Sequence, residues 1–184
     1  MSTRNDRVDG PMAAEFVLGV NCFADMLSQH IGPTPVSVKL SEGRTHKQKQ
    51  ILGMARVLML MYPFAAELAL KALWRKLHNS DHHPSGHDLK TLFEELSSAA
   101  TDENDAKRAQ INARQFWTKR RTRNNPRTLD EFLDMQPKDF VELRYSDYPT
   151  MGGRRTEDYK LFIAAILAEL AIRDPDTLKS VIDK

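Results

Sequence analysis

The stretch Phe64–Leu96, FAAELALKALWRKLHNSDHHPSGHDLKTLFEEL, constrains this chain more than any other. It reads as an amphipathic helix, a short polar break rich in histidine, and a second helix opening on Gly86-His87-Asp88-Leu89. Glu67 and Lys71 fall on one face of the first helix, because residues i and i+4 are neighbours on a helical surface. Leu68, Leu70, Ala72, Leu73 and Leu77 supply apolar surface around them. Taken alone, the pair is an ordinary ion pair on a solvated face. The His-Asp at the following helix start is what points to a site.

The rest of the chain carries the same period. Phe16, Val20, Phe23, Ala24 and Leu27 recur at helical spacing between Pro11 and Gln29, with Gly32-Pro33 as the stop. A loop with a short extended piece at 36–40 is expected next. From Lys47 the pattern resumes through Ile51, Met54, Leu58 and Tyr62, and Pro63 is expected to kink or divide it. Helices are predicted over His87–Ser98, Asp102–Arg121, Thr128–Met135 and Arg155–Ile172, the third with a Thr128/Glu131 capping box. A polar loop separates the last two, and 174–184 reads as one more short helix. Almost nothing alternates with period two, so the expected class is all-α: a single domain over 11–184, behind a disordered leader at 1–10.

Composition narrows the function classes. A net charge of +2, from 27 basic and 25 acidic residues, demands no polyanionic partner by itself. Cys22 is the only cysteine, so no internal disulfide forms and a reducing, cytoplasmic setting is the simplest reading. No apolar run is long enough to span a bilayer, so no membrane partner is expected. Cys22 is read as a buried apolar residue, and Met54, Met59 and Met61 as core packing.

The pattern Glu67-x-x-Leu70-Lys71-Ala72-Leu73, a polar turn, and then Gly86-His87-Asp88-Leu89 resembles the HEPN superfamily of small helical bundles. Leu143-Arg144-Tyr145 looks like the arginine-tyrosine element that many members carry ahead of the final helix. The resemblance spans roughly Leu52 to Ile172. It implies a bundle of about five to six helices, a homodimer, and a nucleotide- or RNA-binding protein of a prokaryotic toxin–antitoxin or phage-defence system, with a cognate antitoxin or defence partner. The implied site gathers Glu67, Lys71, His87, Asp88, Arg144 and Tyr145. Lys71 and Arg144 would hold phosphate, His87 would exchange a hydrogen bond, and Tyr145 would stack on a base.

Catalytic members of that superfamily are metal-independent ribonucleases with an arginine followed at short range by a histidine. Arg123-Asn124 begins such a motif, but no histidine follows; Arg75 and His82 have the spacing and straddle a helix end. A ribonuclease here would use His87 or His82 as acid/base, with Arg144 or Arg75 stabilising developing charge. No cofactor or metal is implied. The segment His78–Asp88 holds four histidines, but their spacing matches no standard zinc pattern, and it reads as a solvated loop.

The largest charge asymmetry is Lys119, Arg120, Arg121, Arg123 and Arg127, with Phe116 and Trp117 interleaved and Lys107, Arg108 and Arg114 upstream. Arginines beside aromatics hold phosphates and stack on bases, so this cluster is the expected nucleic-acid-binding surface. Gly152-Gly153-Arg154-Arg155 at a helix start is a weaker phosphate candidate. A third reading makes the chain a non-catalytic protein-interaction module whose polar residues only fix the bundle.

Overall fold

The computed structural model describes residues 10–31, 46–98, 100–122, 126–135 and 153–175. It is helical, with no strand among the described residues. In chain order the helices are α1 (Gly10–Ile31), α2 (His46–His78), α3 (Leu89–Glu94) continued by a 3-10 turn (Glu95–Ser97), α4 (Glu103–Arg120), α5 (129–135) and α6 (Gly153–Arg173). No described helix is long and apolar enough to cross a membrane. The leader, the 36–40 segment, the 137–152 loop and the tail beyond 175 lie outside the described residues.

The all-α class holds, and α2 is the axis of the bundle, packing against both α1 and α6. Alanines make this close contact cheap: Ala65, Ala66 and Ala69 of α2 are fully buried, as is Ala13 of α1, and Ala165 of α6 is nearly so. Pro63 does not divide the helix, which runs through it. An interior proline costs about 3 kcal/mol; the burial of Tyr62, Ala65 and Ala66 beside it in the core offsets that cost. Beyond α2, Phe132 of α5 gathers the aromatics, with centroids 5.1 Å from Trp117, 5.2 Å from Tyr159 and 5.6 Å from Phe162.

Helix ends follow their local chemistry. Asp102 caps α4 by accepting from the Asn104 and Asp105 amides. At α5 the capping box forms as expected: the Glu131 amide donates to Thr128 Oγ1, and the Thr128 amide donates to Glu131 Oε2 at 2.7 Å. These bonds hold the Glu131 carboxyl below its ordinary pKa. Helix α2 ends in a Schellman turn, with Asn79 left-handed at φ 46° and the Ser80 amide donating to the Arg75 carbonyl. His78 therefore belongs to the helix rather than to the loop. Its ring stacks on Trp74 at 3.7 Å, with its nitrogens 2.8 Å from the Trp74 and Ser98 carbonyls.

Two expectations about burial fail. Cys22 is exposed, since it lies on α1 away from the Val17, Val20 and Ala24 face. Met54 is exposed too, while Met61 packs against the core edge.

Candidate functional site

The helix α3 starts at Leu89, later than the sequence pattern implies, because Asp88 is its N-cap and takes the Thr91 amide at 2.7 Å. His87 is thus the last residue before the helix, free of helical geometry, and its ring turns back onto α2. There Nδ1 lies 3.0 Å from Glu67 Oε1. The same oxygen accepts from Lys71 Nζ at 2.7 Å. Glu67 and Lys71 are each only 4% exposed, so theirs is a buried ion pair and not one on a solvated face. The His87 side chain is 68% exposed.

The result is a short polar chain from core to solvent: Lys71, Glu67, His87. A carboxylate oxygen only accepts, so Nδ1 is the donor, and a neutral His87 carries its lone pair on Nε2. Glu67 therefore fixes the ring's orientation and tautomer, as second partners do for working imidazoles. The arrangement orients the imidazole of a largely exposed side chain and backs it with a buried cation.

The other expected residues distribute unevenly. Arg144 and Tyr145 lie outside the described residues, as does Arg123. Arg75 reaches the Ser80 carbonyl and Asp81, each at 3.3 Å. With Lys76, which meets Asp174 at 3.0 Å, it lines a polar cleft of about 370 Å³ where both cations already face carboxylates. His82 is exposed, and its amide donates to Ser80 Oγ. Among the described residues no group of three or more His, Cys, Asp or Glu is arranged to hold a metal.

The basic cluster splits in two. Arg127 donates to Asp158, which is 1% exposed, at 3.0 Å, and Arg114 makes a forked pair with Asp130. Trp117 is fully buried, its indole N–H held by the Arg127 carbonyl at 2.8 Å, so it offers no stacking surface. Lys119, Arg120 and Arg121 remain exposed at the end of α4. Arg120 lies 4.3 Å over the Phe116 ring, and Arg121 donates to the Pro126 carbonyl.

A second polar cluster escapes the sequence reading. Arg173, at the end of α6, forks onto Asp105 at 2.8 and 3.0 Å and reaches Glu169 Oε2 at 2.7 Å. Glu169 is 4% exposed and also accepts from Asn112. Burial opposes the charge on Arg173, but the bonds to Asp105 and Glu169 prevail and raise its pKa. The signal was present: Glu169 and Asp158 interrupt the apolar face of the last helix, one turn from Ile166 and Phe162. Charged residues at core-facing positions imply internal partners.

Compared with family models, curated proteins and solved structures, the chain matches none of them.

Proposed function

We propose that this protein is a HEPN-like nucleotide- or RNA-binding protein of a prokaryotic toxin–antitoxin or phage-defence system, acting in the cytoplasm. The observation that carries the binding reading is the solvent-facing His87 ring, held by a buried carboxylate that a buried lysine backs. A histidine needed only for packing would not present two-thirds of its side chain to water. The exposed Lys119, Arg120 and Arg121 add a cationic surface suited to phosphates, with Phe116 under Arg120. Arg144 and Tyr145 enter this reading through the resemblance alone, as phosphate and base contacts. The test is titration of a fluorescent single-stranded RNA and of labelled nucleotides with the protein. Binding that weakens at least about 10-fold in His87→Ala, a loss of about 1.4 kcal/mol, supports the reading; no binding by wild type at millimolar nucleotide or micromolar RNA ends it.

The Glu67–His87 pairing also favours a second, catalytic reading: a metal-independent endoribonuclease. With Nδ1 donating to Glu67, Nε2 would take the proton of a ribose 2′-hydroxyl, and an arginine would hold the charged phosphate. Incubation with cellular RNA in EDTA decides it. Cleavage that vanishes in His87→Ala supports catalysis, and intact RNA leaves the binding role.

A further inference from the structure

We infer that His78 is a proton-operated latch, tying the end of the α3 segment to the end of α2 only while both of its ring nitrogens carry protons. Nδ1 lies 2.8 Å from the Trp74 carbonyl oxygen, and Nε2 lies 2.8 Å from that of Ser98. A carbonyl oxygen only accepts, so each contact is a hydrogen bond only where the nitrogen donates. A neutral imidazole has one N–H, and the imidazolium has two. The two contacts together therefore require the cation. In the neutral ring one nitrogen would turn a lone pair onto an oxygen at hydrogen-bonding distance, and that contact has to open. The Trp74 contact is local to the helix and kept by the ring stack, whereas the Ser98 contact spans 20 residues of chain. The Ser98 contact is the one that gives way.

The surroundings suit a cation at this point. His78 is the last residue of α2, where the final carbonyls lack helical partners and the helix dipole is negative. Its ring lies over Trp74 at 3.7 Å and 10° from parallel, and an indole face attracts positive charge. The charged groups on the packed elements are engaged with one another. Arg75 pairs with Asp81 and Lys76 with Asp174, Arg173 with Asp105 and Glu169, and Lys90 with Asp134 and Glu94. Among the described residues no carboxylate, Glu95 of the 3-10 turn included, pairs with His78, so the ring's own proton decides both bonds. The neighbouring histidines meet other groups, His83 the Pro84 carbonyl and His87 Glu67. Leu89, Leu92, Phe93 and Leu96 stay buried in the core, so losing the latch frees the Ser98 end and leaves α3 in place. Protonation thus regulates how the chain passes from α3 to α4, whatever His87 binds.

The experiment uses the full chain, wild type beside His78→Phe, which keeps a ring on Trp74, and His78→Gln, which keeps a donor. Long-range proton–nitrogen NMR reads the protonation of each His78 ring nitrogen between about pH 5 and about pH 8, where histidine changes charge. Urea unfolding over the same range reads stability. Protons on both nitrogens are expected at the acid end, with one lost toward the alkaline end. The latch contributes stability in the protonated state and loses it as pH rises. The unfolding constant of either variant relative to wild type should therefore be about 10-fold larger at the acid end than at the alkaline end. A single protonated nitrogen at the acid end, or a ratio that does not change with pH in a folded variant, overturns the inference. The wild-type spectrum decides by itself where a variant fails to fold.

Discussion

Two polar clusters run through this bundle, and they differ in where they stop. The Arg173 cluster closes on itself: guanidinium, Asp105, Glu169 and Asn112 satisfy one another, with Arg173 only 12% exposed. The Glu67 cluster begins with a more deeply buried ion pair, both side chains 5% exposed, but ends on an imidazole whose side chain is 68% exposed. A buried ion pair is weak evidence of function, because removing one partner destabilises a fold whether or not it binds anything. What separates the two is the open end. The first cluster is read as a clamp between α4 and α6, the second as a device that aims His87.

The largest effect expected is on the closed cluster. Arg173→Ala leaves Asp105 and Glu169 without their cation and should cost about 3–5 kcal/mol, a fall in melting temperature of roughly 6–20 °C for a chain this size. RNA or nucleotide affinity, measured well below the new transition, should not change. A loss of affinity in the folded variant would erase the distinction between the clusters.

Glu67→Ala should cost a comparable amount, about 3 kcal/mol or more, and also weaken binding, since His87 loses its orienting oxygen. The sharper version replaces the whole pair. Glu67→Leu with Lys71→Met fills the same space without charge and should recover most of the stability, as apolar replacements of buried ion pairs do. Binding should stay lost. Thermal melts and titration of the single and double variants give both numbers, and recovered binding in the double variant would make the pair purely structural.

The smallest effect is at the α5 cap. Glu131 is held below its ordinary pKa by the Thr128 amide and hydroxyl, so its contribution is present above the unfolded carboxyl value and is lost as pH falls through the folded one. Glu131→Gln should therefore lower stability at neutral pH and flatten the acid limb of a melting-temperature profile below about pH 4.3. An acid limb identical to wild type would show that the cap is not coupled to folding.

Much of this was legible in the sequence. The 3.6-residue period placed the helices, and the Thr128/Glu131 box placed the start of α5. Glu67, Lys71 and His87 were singled out because a charged pair in an apolar helix stood near a His-Asp helix start, and the fold brings all three together. What the pattern could not supply was depth. An i,i+4 pair looks the same on a surface and in a core, and only the packing of neighbouring helices decides that Glu67 and Lys71 are buried. The same gap hid Asp158 as the partner of Arg127 and turned Trp117 from a stacking platform into core. Pro63 left two outcomes open, a kinked helix or a divided one, and only the tertiary packing decides that α2 runs through it.

The most direct measurement is a paired one on His87→Ala: its melting temperature and its affinity for labelled single-stranded RNA, both against wild type. With a side chain 68% exposed, removing the ring should cost under about 1 kcal/mol, and affinity should fall by at least about 10-fold, or 1.4 kcal/mol. Unchanged affinity together with a large drop in melting temperature would contradict the account and make His87 one more structural clamp.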